Sequence, residues 1–169
     1  NKCFLLNSNA TFDLETKKSD QKYIPVNTEE KNNYIKNVLS KIKYDYEQDD
    51  FPDANEIKNL FEISHKKFQH ARHELQFKST TKLLIQIPED LYVVISLENE
   101  NYEIIQKDDL HKFNKFVKID LDSRLLKLLL QGPQYANWNN CEVGSHLKFE
   151  RKPEIYESGL FYCLNFFHI

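Results

Sequence analysis

Methionine is absent from the 169 residues, and glycine (3), proline (5), cysteine (3) and tryptophan (1) are scarce. Glycine stands only at Gly132, Gly144 and Gly159, so no G-x-G-x-x-G or P-loop run is spelled and nucleotide-binding classes that need one are excluded. Cys3, Cys141 and Cys163 form an odd set without a C-x-x-C pair. That spacing argues against a disulfide framework and a zinc knuckle, and it fits a reduced, cytoplasmic setting. Arginine occurs only at Arg72, Arg124 and Arg151. Basic residues number 23 against 26 acidic, a net charge of -3, and neither half of the chain is a basic module. Nucleic acid is therefore not expected as a partner, because phosphate neutralisation needs clustered cations. No apolar run approaches the roughly 18 to 20 residues of a membrane span, so none is expected. The lack of methionine, with Asn1 in first place, predicts a processed or excised piece of a larger product.

What is present suffices for a core: 40% of residues are hydrophobic, with 12 Phe and 9 Tyr. The length suits one ordinary domain. Residues 1–22 read as a short strand at Cys3–Leu6 and a polar linker, and residues 23–169 as a single α+β domain. Thr28 followed by Glu29 and Glu30 supplies a cap, and Tyr34, Ile35, Val38, Leu39 and Ile42 continue at helical spacing, predicting a helix from Glu29 to Lys43. Asp53 with Glu56 is a capping-box variant, after which Ile57, Leu60, Phe61, Ser64, Phe68, Ala71 and Leu75 trace one helix face. Past Phe77 the period changes. Leu83–Ile87 alternates, and Leu91–Leu97 and Tyr102–Ile105 form a hairpin around a polar turn. Phe116–Ile119 is a further strand, Asp122 caps a leucine-rich helix ended by Gly132-Pro133, and Val143–Phe149 alternates again. Leu160–Ile169 is aromatic and of ambiguous type. The expected class is α+β: N-terminal helices followed by an antiparallel sheet with one late short helix.

The runs DLYVVISLENENYEII (Asp90–Ile105), FVKID (Phe116–Asp120), LDSRLLKLLLQG (Leu121–Gly132) and GSHLKF (Gly144–Phe149) together resemble a sterol-carrier-protein-2-like (SCP2-like) domain. The segment YANWNNCEVGSHLKFERKPEIY (Tyr135–Tyr156), with the terminal FFHI, is similar to the C-terminal region of some bacterial metallo-β-lactamase-fold hydrolases. The first resemblance implies a small apolar pocket between sheet and helices, hence a small apolar ligand. The second implies an accessory domain beside a catalytic partner domain in the same parent chain. The hydrolase motif HxHxDH is missing: His65, His70, His73, His111, His146 and His168 include no pair two apart.

Three groups of residues invite chemistry. Trp138-Asn139-Asn140-Cys141-Glu142 with Ser145 and His146 gathers an aromatic platform and hydrogen-bonding groups, and Arg151 follows, so Trp138, Asn139, Asn140, Glu142, Ser145, His146 and Arg151 are the candidate binding residues. Their plain alternative is a loop whose Trp plugs the core edge. Glu62 and His65 form the i,i+3 half of a di-metal site, but no second half accompanies them, and a solvated helix face is the plainer reading. Cys141 near His146 suggests a thiol and base without an orienting third group. The sequence thus points to a non-catalytic accessory or binding module of a larger metallohydrolase-like protein, with no cofactor. The alternatives are a stand-alone carrier of a small apolar ligand and an enzyme with a metal site on the Asp53 helix.

Overall fold

The computed structural model describes residues 3–169. Backbone contacts divide the chain into two compact units that meet between Tyr44 and Asp45, whereas the sequence reading places its boundary between Lys22 and Tyr23.

In the first unit, Cys3–Leu6 has no strand structure. A small hairpin forms instead from β1 (Phe12–Asp13) and β2 (Lys18–Ser19). Its turn closes because the Asp13 carboxylate accepts from the Glu15 and Thr16 amides at 2.8 and 2.9 Å. Those donors hold that carboxyl below its ordinary range, the Thr16 bond most strongly. Helix α1 (Thr28–Asn37) is capped by Asn27, one residue before the expected Thr28, and the Asn27 side chain accepts from Glu29 and Glu30. It stops at Asn37 and not at Lys43, and Leu39–Lys41 tightens into a 3-10 turn. None of its residues is buried.

The second unit is a five-stranded sheet with helices on one face. Asp53 caps α2 (Ala54–Glu74) by accepting from the Glu56 amide at 2.8 Å, as the capping pattern predicts. Then come β3 (Lys82–Ile87), β4 (Leu91–Ser96), β5 (Tyr102–Gln106), β6 (Phe116–Asp120), α3 (Ser123–Gln131), α4 (Trp138–Val143), β7 (Lys148–Lys152) and α5 (Ser158–Leu164). The spatial order is β5-β4-β3-β6-β7. The chain is α+β, but the sheet is mixed and not antiparallel throughout: β3 and β6 run parallel, Leu83 opposite Val117 and Ile85 opposite Ile119. The parallel pair arises because the link after β5 crosses the sheet through a 3-10 turn at Lys107–Lys112 and lays Leu110 and Phe113 against Leu84, Tyr92 and Val94. The expected β4–β5 hairpin forms, with Tyr92 opposite Ile105.

Three late helices stand where one was expected. Asp122 caps α3 and Gly132 ends it with φ +120°, a conformation that suits a residue without Cβ. Trp138–Val143, expected as loop and strand, is helical, and the returning strand starts only at Lys148. The ambiguous aromatic tail begins as α5.

Period-two alternation sorts the strands. Leu83, Ile85, Val93, Ile95, Val117 and Ile119 face the helices, where Ile57, Phe61, Phe68, Leu126, Leu129, Leu160 and Phe167 complete the main core. Leu84, Tyr92 and Val94 face the other way. The space between sheet and helices, where an SCP2-like pocket would lie, holds Phe68 and Phe167 at 0% exposure. Among the described residues no helix is long and apolar enough to cross a membrane.

Candidate functional site

The Trp138 segment divides by the face of α4. Asn137 caps this helix through its side chain, which accepts from the Asn140 amide at 3.2 Å. Trp138 and Cys141 then point inward. The indole Nε1–H donates to the Phe167 carbonyl at 2.9 Å, and the two rings lie 5.8 Å apart. Trp138 thus fastens the chain terminus to the core. Burial pushes the Cys141 thiol up, away from the thiolate that a nucleophile needs. Asn139, Asn140 and Ser145 are exposed. His146 is half-buried, with its ring edge toward Tyr46 at 6.4 Å, and its amide donates to the Cys141 carbonyl.

Glu142 and Arg151 are linked through their fields. Burial raises the Glu142 carboxyl, and the Arg151 cation opposes that rise. The Arg151 guanidinium carbon lies 5.1 Å from the Phe149 ring centroid, 5.3 Å from Phe161 and 5.8 Å from Tyr156. Its Nη1 donates to the Glu154 carboxylate at 3.1 Å. The aromatic surround of this sector is therefore filled by a cation of the chain itself.

Glu62 and His65 do not converge. Glu62 is exposed, whereas His65 is 6% exposed and stacked on Phe61 at 5.5 Å. Tyr102 lies edge-on to the His65 ring at 4.9 Å, and Gln69 shares a hydrogen bond with its Nε2 at 2.9 Å. Burial pulls the imidazole down to about 4, against the Glu100 carboxylate and with help from the Arg72 cation. Among the described residues no three His, Cys, Asp or Glu side chains stand together as metal ligands.

Sequence reasoning missed what lies beyond His65. Gln69 and Arg72 follow at i+4 and i+7 on the same face, and both are buried. Arg72, only 1% exposed, donates from Nε to Gln69 Oε1 at 2.6 Å and from Nη1 to the Phe77 and Leu97 carbonyls, each at 3.2 Å. Its neighbour His73 meets Glu100 at 2.9 Å. The signal was the polar run at helical spacing within an otherwise apolar stripe. This network ties the end of α2 to the end of β4 and borders an open cleft of about 430 Å³ lined by His65, Lys66, Gln69, His70, His73 and Glu100.

The second sheet face carries another cleft, of about 390 Å³. Leu84, Leu110, Phe113 and Phe116 make its apolar surface, with His111, Lys118, Glu150 and Lys152 around them. Across this face Lys118 reaches Glu150 at 2.7 Å and Asp120 at 3.4 Å, and the Tyr92 hydroxyl donates to Asp120 at 2.8 Å. Burial pulls the Lys118 ammonium down, but the two carboxylates outweigh it and hold it above its ordinary value. Burial, with the Asp120 bond, pushes the Tyr92 hydroxyl well up. Lys152 is exposed and forms no ion pair among the described residues. The sequence reading placed several of these residues in strands or quoted runs but did not join them into one site, because the cleft brings together three strands and a 3-10 turn.

No family model, curated protein or solved structure matches the chain.

Proposed function

We propose that the chain is a non-catalytic binding module whose working surface is the second face of its sheet. The cleft beside Phe113 carries this reading. It joins an apolar floor to Lys152, which forms no ion pair among the described residues, on a face where Lys118 is already paired. Ligand and interface sites combine apolar surface with a few placed polar groups in this way. The favoured occupant is an apolar group with an anionic end, which the Lys152 ammonium would meet.

The resemblances noted in the sequence supply two forms of this reading. In the first, the module is accessory to a metallohydrolase-like catalytic domain in the same parent chain and shapes its substrate pocket or interface. In the second, it carries a small apolar ligand, and the apolar floor favours this one.

The test uses cis-parinaric acid, a fluorescent carboxylic acid that brightens in apolar surroundings. Saturable binding near one per chain is expected, weakened at least about tenfold, or about 1.4 kcal/mol, by Lys152→Glu and by Phe113→Ser. Unchanged affinity in both variants, with unfolding midpoints preserved, would remove the cleft from consideration.

A further inference from the structure

The two edges of the sheet meet solvent differently. On β7, Lys148, Glu150 and Lys152 alternate with half-buried Phe149 and Arg151, and Pro153 follows. Charge and proline of this kind discourage a further strand. On β5 the only charge is Glu103, proline and lysine are absent, and Tyr102 and Ile104 are each 39% exposed.

The ladder shows which groups β5 leaves over. Ser96 N–H donates to the Asn101 carbonyl at 2.9 Å and Lys107 N–H to the Asp90 carbonyl at 3.0 Å, while Val94 stands opposite Glu103 and Tyr92 opposite Ile105. In an antiparallel pair alternate residues bond inward. Asn101, Glu103, Ile105 and Lys107 therefore turn their main chain toward β4, and Tyr102, Ile104 and Gln106 turn theirs outward.

We infer that β5 is a strand-pairing edge and that its occupant is β5 of a second copy of this chain, antiparallel across a two-fold axis at Ile104. In that register the three outward residues match one another. Ile104 exchanges main-chain bonds with Ile104 of the second copy, and Tyr102 does so with Gln106. Side chains agree with the pairing. Glu103 falls opposite the uncharged Ile105 of the second copy, with that copy's Lys107 on one diagonal and its Glu103 on the other, so no like charges stand directly opposite one another. The half-exposed Ile104 side chains meet at the axis on the helix-bearing face. A closed two-fold contact of this kind uses one patch twice and leaves no edge of this type exposed, which favours a second copy over an unrelated extended peptide.

Sedimentation velocity from about 1 to 200 µM should show a reversible dimer, and Ile104→Lys, which sets two ammonium groups face to face, should raise its dissociation constant at least about tenfold. A second readout does not depend on weakening. In a Cys3→Ser background, Ile104→Cys should form an intermolecular disulfide, because paired Cα atoms about 5.5 Å apart suit one. Gln106→Cys should not, since its two copies would lie about 14 Å apart along the strand. Far-UV circular dichroism of each variant checks folding. A monomer throughout the range, equal crosslinking by both cysteines, or a dimer indifferent to Ile104→Lys overturns the inference. So does capture of an extended peptide at β5 without dimerisation.

Discussion

Replacing Arg72 by methionine tests the buried polar network most directly. The stem is kept and the guanidinium is lost, which deletes the bonds to Gln69 Oε1 and to the Phe77 and Leu97 carbonyls. Hydrogen bonds to a charged donor contribute about 1.5–3 kcal/mol each, so three amount to about 6 kcal/mol. Against this, the variant no longer buries a cation, which returns several kcal/mol. A net loss of about 3 kcal/mol is expected. Arg72→Lys should lose about 2 kcal/mol, because a single ammonium cannot span acceptors on α2, on the following loop and beyond β4 as the planar fork does. The single tryptophan, Trp138, is 3% exposed and reports unfolding by fluorescence without a label. With a urea slope of about 2 kcal/mol per molar, the Arg72→Met midpoint should fall by about 1.5 M. A midpoint that holds still, or rises, would mean that burying this cation costs more than its carbonyl partners return, and the latch described above would be refuted.

His65 makes stability depend on pH. Its imidazole is held at about 4 in the folded chain, chiefly by burial, against an ordinary 6.5. The unfolded state therefore binds more protons between those values, so the contribution is complete above about 6.5 and is lost as pH falls toward 4, by up to about 3 kcal/mol. Urea midpoints of the wild type and His65→Gln should converge across that window, and a difference that stays constant would rule the effect out. Gly159→Ala sets helix propensity against packing. Alanine is favoured by about 1 kcal/mol in a helix, but its Cβ would lie 2.5 Å from the Phe77 ring. Thermal unfolding should show a net loss of about 1–2 kcal/mol, relieved when Phe77→Leu is added; a stabilised single variant would show that the ring moves aside freely.

The parts of the fold legible in the sequence are those whose information is local. The Asp53 cap and apolar spacing place α2, the alternation and polar turn place the β4–β5 hairpin, and Asp122 with Gly132 brackets α3. Alternation misled at Val143–Phe149, because Asn137 nucleates a helix that buries Trp138 and Cys141 together, and a six-residue helix is too short to declare its period. At α1 the stripe continues to Ile42 in sequence, yet the helix stops at Asn37 and none of its residues is buried, so it lacks the packing that sustains most protein helices. The candidate residues fared unevenly for a related reason. Trp138 shares its segment with Asn139 and Asn140 but faces the core through Phe167, a partner at the far end of the second unit's chain.

Caps, turns and hydrophobic periods are set by the dihedral preferences of a few adjacent residues, so α2, α3 and the hairpin follow from composition and spacing alone. The parallel β3–β6 pair, the Arg72 carbonyl latch and the cleft beside Phe113 are of another kind. Each joins groups distant along the chain, and each exists because burying apolar side chains brings those groups together, where desolvated polar atoms must then find partners.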